Sequence, residues 1–241
     1  MNLNETIAPI RRALAVGGLT VAGAIALTGC GILDAADDTA SDTEVSGDQF
    51  DAVAEAAVGD CLPQEMLGGD SSTFAIDCSD PAAFWTLTAI EADPAVTASA
   101  SGTVDDPTAV YDMCGETVAA QTPGAKWTDW NMIYNETTLT VDYLFCVEAI
   151  GNPTAAGTNP VVPSAGECFN SATVADEYHF GTLPCDDPAV DSVVVDAIAV
   201  DQAEWATADV AAISEECSGE WTYYQPATDQ FGRTTAVYCT E

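Results

Sequence analysis

VGDCL (58–62) is answered by AGECF (165–169), and CSDP (78–81) by CDDP (185–188). The two cysteines of each set lie the same distance apart along the chain. A strand-like apolar run follows each set, FWTLTAIEA (84–92) and DSVVVDAIAV (191–200). Each set then continues into a helical segment holding a third cysteine and a strand holding a fourth. Such self-similarity marks an internal duplication. The predicted fold class is therefore α+β: two tandem small disulfide-stabilised domains, each an antiparallel sheet of about four strands with one packed helix. Copy one spans 56–150 and copy two 165–241. GNPTAAGTNPVVPS (151–164) between them reads as a semi-extended Pro/Gly linker.

Eight cysteines beyond Cys30 form an even set, and no C-x-x-C appears. That argues for disulfides in an exported chain, and against zinc ribbons or a thioredoxin-like motif. In copy one Asp106 can cap a helix whose first turn accepts Pro107, and Val110, Cys114 and Val118 share its face. In copy two Val210, Ile213 and Cys217 do the same. The last strand of each copy supplies Cys146 or Cys239. The expected bridges are Cys61–Cys78, Cys114–Cys146, Cys168–Cys185 and Cys217–Cys239. One feature opposes the second. The alternation Leu139, Val141, Tyr143, Phe145, Val147 leaves Cys146 on the other face with Leu144. Either that strand is apolar on both faces or the pairing differs.

Upstream, Arg11 and Arg12 precede the apolar segment Ala13–Thr28, which ends in Leu27-Thr28-Gly29-Cys30. The segment is short for a membrane span and has the layout of a signal peptide. Its end resembles a bacterial lipobox, so residues 1–29 read as a lipoprotein signal peptide and Cys30 as the lipidated residue. The membrane, reached through that lipid, is then a partner. The expected location is the outer face of the cytoplasmic membrane, with at least two acyl chains for stable anchoring. Residues 30–55, acidic and small, read as a flexible tether.

The chain has 4 Lys+Arg against 39 Asp+Glu, and 1–29 removes two of those four cations. Lys126 and Arg233 remain. Such a surface repels nucleic acid, whose binding rests on cationic contacts to phosphate. At 48% hydrophobic residues the chain still has enough to build cores, so the charge does not mean disorder. No D-x-[DN]-x-[DN]-G calcium loop occurs, and neither a metal nor another cofactor is expected.

Chemistry-bearing residues are few. His179 is the lone histidine, and no serine or cysteine nucleophile has an evident base beside it. It reads as structural. Arg233 reads as a bidentate partner of a nearby carboxylate locking the final strand, with ligand contact as the alternative. Trp127, Trp130 and Tyr134 fit a buried helical stripe in preference to a sugar platform. Trp221, Tyr223 and Tyr224 hold the comparable place in copy two. With Arg233, Trp221 and Tyr223 are the candidate ligand contacts.

The glycine-acid-cysteine opening, the C-x-D-P cysteine and the ending YYQPATDQFGRTTAVYC (223–239) resemble the septum-formation-related domain of actinobacterial envelope proteins and related lipoproteins. Pro226, Phe231, Gly232, Arg233 and Cys239 match in copy two. Copy one fits loosely, through Tyr134, Glu136 and Cys146, and lacks the Gly-Arg pair. The resemblance implies an exported envelope module tied to septum formation, without catalytic residues. The expectation is a non-enzymatic, lipid-anchored protein binding an envelope protein or wall component. The rivals are an extracellular hydrolase using acidic residues and a cation-binding or structural surface protein.

Overall fold

In this computed structural model the described residues are 31–32, 47–67, 73–99, 101–104, 106–172 and 179–241. The signal segment 1–29, Cys30 and residues 33–46 lie outside them.

The first half holds β2 (Cys61–Pro63), β3 (Ala83–Ala92), helix α2 (Thr108–Cys114), β4 (Thr128–Tyr134) and β5 (Val141–Ala149). The second holds β6 (Cys168–Phe169), β7 (Ser192–Ala199), α3 (Val210–Ser214), β8 (Tyr223–Thr228) and β9 (Thr234–Thr240). Strand order is β4-β5-β3-β2 in one sheet and β8-β9-β7-β6 in the other, each pair antiparallel. The match extends to register. Cys146 lies opposite Ala89 and Trp130, and Cys239 opposite Asp196 and Tyr224. Even the irregularities recur, at Leu87/Ala89 and Val194/Asp196, and at Ile133/Tyr134 and Ala227/Thr228. All four expected disulfides are present, with Cα atoms 5.1–6.4 Å apart.

The shared motifs build shared turns. Gly59 and Gly166 take positive φ (99° and 86°), which glycine adopts without a Cβ clash. The next residue folds its carboxylate back onto the turn: Asp60 accepts from Ala57 N–H at 2.9 Å, Glu167 from Ser164 N–H at 2.7 Å. In C-x-D-P, Asp80 and Asp187 accept from Ala82 and Ala189 N–H, both at 2.8 Å. The acids at these positions are thus turn formers.

β5 resolves the difficulty over Cys146, because it is apolar on both faces. Phe145, Val147 and Ala149 enter one core, while Leu144 and Cys146 face α2 with Trp130 and Met132. β9 is built alike: Ala236 and Tyr238 enter the first core, and Val237 faces Val200 and Trp205.

Three expectations need correction. Trp127, Trp130 and Tyr134 are not a helical stripe; Trp130 and Tyr134 lie in β4, and Trp127 just precedes it. A strand buried on both faces carries apolar residues at every spacing, a helical one included. The segment read as tether is partly structured. Gly31–Ile32 forms β1, parallel to β4, and Gly47–Ala54 forms α1. Val53 of α1 is 1% exposed, and the Phe50 ring meets Tyr143 edge-on at 5.3 Å. Finally, 151–164 is a packed strap more than a spacer. Val162 is fully buried in the same core as Phe145 and Tyr238, Thr154 and Thr158 are buried, and Pro163 C=O accepts from Tyr238 Oη–H at 2.9 Å. One continuous core therefore runs through both halves.

Candidate functional site

The halves meet along β4, which has only the two-residue β1 beyond it in the first sheet, and several of its outward main-chain groups are engaged. Thr128 C=O lies 3.3 Å from His179 Nε2, which must carry the proton there because a carbonyl only accepts. Trp130 N–H donates to Asp129 Oδ1, and Met132 N–H to Asn131 Oδ1, both at 2.8 Å. Beyond them β1 pairs with Ile133 and Tyr134. An open edge invites strand addition, and these contacts shield it. Gln230 Nε2 adds a second donor to Asp129 Oδ1 at 2.8 Å.

The turn between β8 and β9, Asp229-Gln230-Phe231-Gly232-Arg233, is the second half's main contribution. Asp229 organises it. One carboxylate oxygen accepts from Phe231 and Arg233 N–H, both at 3.0 Å, and the other from Arg233 Nε at 2.7 Å. Arg233 then reaches into the first half. It donates to the Glu116 and Val118 carbonyls at 3.0 and 3.4 Å, and its guanidinium lies 4.5 Å from the Tyr111 ring centre, 4.8 Å from Trp205 and 5.1 Å from Phe231. Phe231 stacks nearly parallel on Trp130 at 5.9 Å. The receiving arm is 115–121, which lies between the third and fourth cysteines of copy one. That interval spans 32 residues against 22 in copy two. Gln121 of the arm donates from its N–H to Thr235 Oγ1 and accepts from Phe180 N–H, each at 2.9 Å. Glu116 also accepts from Gln202 Nε2.

A cleft of about 390 Å³ opens where these parts converge. Its walls are Tyr111, Trp130, Phe231, Met66, Val104 and Met132; its polar lining is Asp129, Asn131, Gln230, His179 and Thr103. Burial raises the Asp129 carboxyl above its usual range, while the charge of His179 and the Trp130 and Gln230 donors oppose the rise. The His179 ring stacks on Trp127 at 4.9 Å. Among the described residues Trp130 Nε1–H is buried without a hydrogen-bond partner. The cleft lining supplies one carboxylate among the described residues, where an acid-pair hydrolase needs two. No group of three or more His, Cys, Asp or Glu among the described residues has the geometry to hold a metal ion.

Compared with known proteins, the chain matches no family model, no curated protein and no solved structure.

The residues singled out in the sequence fall in two places. Arg233 sits at the seam and pairs with Asp229, but through Nε alone; the terminal nitrogens of the expected bidentate pair go to the Glu116 and Val118 carbonyls instead. Trp221 and Tyr223 sit at the far end of the β8–β9 hairpin and share no site with it. Sequence reasoning missed Asp129, Gln230 and the arm 115–121. The extra length between the third and fourth cysteines of copy one was the signal that could have found the arm. Four disulfides in two matched frameworks place the chain in an oxidising, extracytoplasmic compartment.

Proposed function

We propose that this chain is a non-enzymatic, lipid-anchored protein of the extracytoplasmic envelope that binds an envelope protein or wall component, with a link to septum formation. The carrying observation is that the polar groups at the seam are engaged with one another. Asp129, His179 and Gln230 close a strand edge, and Arg233 joins the halves. A catalytic constellation leaves reactive groups directed at open space. The Leu27-Thr28-Gly29-Cys30 junction supports the anchor, and the cysteine framework with the DQFGR turn supports the septum link. The test is fractionation of cells expressing Cys30→Ala, together with imaging of the tagged wild type. Loss of membrane association and enrichment at division sites are the expected results. A mutant that stays membrane-bound as a mature species overturns the anchor; uniform envelope distribution overturns the septum link.

A further inference from the structure

The duplication supplies an internal control. By register, Trp127-Thr128-Asp129-Trp130 corresponds to Trp221-Thr222-Tyr223-Tyr224. In the first half all of these aromatic and edge positions are covered by the second half. Trp127 is 3% exposed, donating from Nε1 to Phe180 C=O at 2.7 Å; Asp129 lies under Gln230; Trp130 lies under Phe231. In the second half the same positions are open. Tyr223 is 70% and Tyr224 45% exposed, and Trp221, partly exposed, meets Tyr224 edge-on at 6.0 Å. The seam uses non-equivalent parts of the two halves, the 115–121 arm and β4 of one against the 229–233 turn of the other. Among the described residues, the second half therefore leaves uncovered the face that the turn covers in the first.

We infer that Trp221, Tyr223 and Tyr224 form a docking surface for a partner protein that presents a turn bearing an aromatic residue and an arginine. Three observations select that occupant. The equivalent face of the first half is covered by a turn of this kind, with Phe231 on Trp130 and Gln230 on Asp129, while Arg233 of the same turn holds the neighbouring 115–121 arm. Exposed Glu215, Glu216 and Glu220 flank Trp221 in sequence, and the chain's net charge of −35 favours a cationic approach. A second copy of this chain is a poor donor, since its Phe231 turn is already docked and the matching β4–β5 turn, Asn135-Glu136-Thr137-Thr138-Leu139, is acidic without an arginine. Tyrosine and tryptophan are also the residues that dominate such contacts, because they present large rigid areas with a polar end.

This inference deepens the binding reading, but its test is independent of anchoring and of the septum. The full chain, purified in detergent, receives a fluorine label on Tyr224 and is titrated with a cyclised hairpin peptide, PATDQFGRT. A saturable shift at Tyr224 is expected. Tyr223→Ala, or a peptide carrying Phe231→Ala or Arg233→Glu, should weaken binding at least about tenfold, the scale of an interface hot spot. No shift at millimolar peptide overturns the inference. So does equal binding by the peptide lacking the phenylalanine, which would mean charge attraction alone. Self-association abolished by Tyr223→Ala would make a second copy the occupant and overturn it equally.

Discussion

Arg233 shows what one side chain does when a chain has almost no cations. It neutralises Asp229, whose side chain is fully buried, and spans two halves through main-chain carbonyls. Arg233→Ala leaves that carboxylate uncompensated and should cost roughly 3–5 kcal/mol, read by denaturant unfolding. Arg233→Lys keeps the charge but loses the fork, and should recover only part of it. Asp129 gives a pH signature. Burial raises its carboxyl above 3.8, so the native state holds a proton that the unfolded chain has released. Stability therefore falls as pH rises through the native value. The melting temperature should drop from pH 4 to neutrality, and drop less in Asp129→Asn. Equal slopes would show that this carboxylate does not contribute. Gly181 is constrained differently: an added Cβ would lie 2.6 Å from the Trp127 ring and 2.8 Å from Asn159 C=O. Gly181→Ala should lower the melting temperature by several degrees through overpacking.

The elements show where the sequence was legible. The cysteine spacing and the flanking turns carried the duplication, the fold class and the four bridges, because a disulfide and an acid-capped turn are local and leave local marks. The strand order and the place of the helix between the second and third strands of each copy were not carried. The bridges should each contribute about 3 kcal/mol, and Cys217→Ser with Cys239→Ser should reveal that by urea unfolding. The β4 aromatics were not legible in the same way. Hydrophobic period distinguishes helix from strand only when one face is wet, and β4 is covered on both sides. The seam was hidden because it joins segments far apart in sequence, such as Gln121 with Thr235. The outer sides of β4 and β8 also solve one problem in two ways. β4 is capped by side chains, whereas β8 carries Pro226, which has no N–H to offer a passing strand.

At the scale of the molecule, the continuous core through Phe145, Trp127, Val162 and Tyr238 argues against two independent folding units. Calorimetry should show one cooperative transition, with calorimetric and van't Hoff enthalpies in agreement. Two resolved transitions would mean that the shared core is energetically minor. Salt should raise that transition. The acids repel one another over about 30 Å at 0.01 M and about 3 Å at 1 M, and unfolding relieves the repulsion. A midpoint that is flat from 0.01 to 1 M sodium chloride, with calcium chelated, would show that the acids are too widely spaced to matter.

The seam has a further consequence for how such a molecule arises. Its contact is head-to-tail, and a head-to-tail contact between identical units does not close; it propagates into rings or open filaments. A single unit bearing both the 115–121 arm and the DQFGR turn would be a filament subunit. Joining two units in one chain captures a single link of that filament. The shorter interval between the third and fourth cysteines of the second unit, which leaves it without the arm, then terminates growth. Grafting 115–121 into the second half, between Cys217 and Trp221, and DQFGR in place of residues 135–139 of the first half should restore both sides of the missing contact and let copies of the chain assemble end to end.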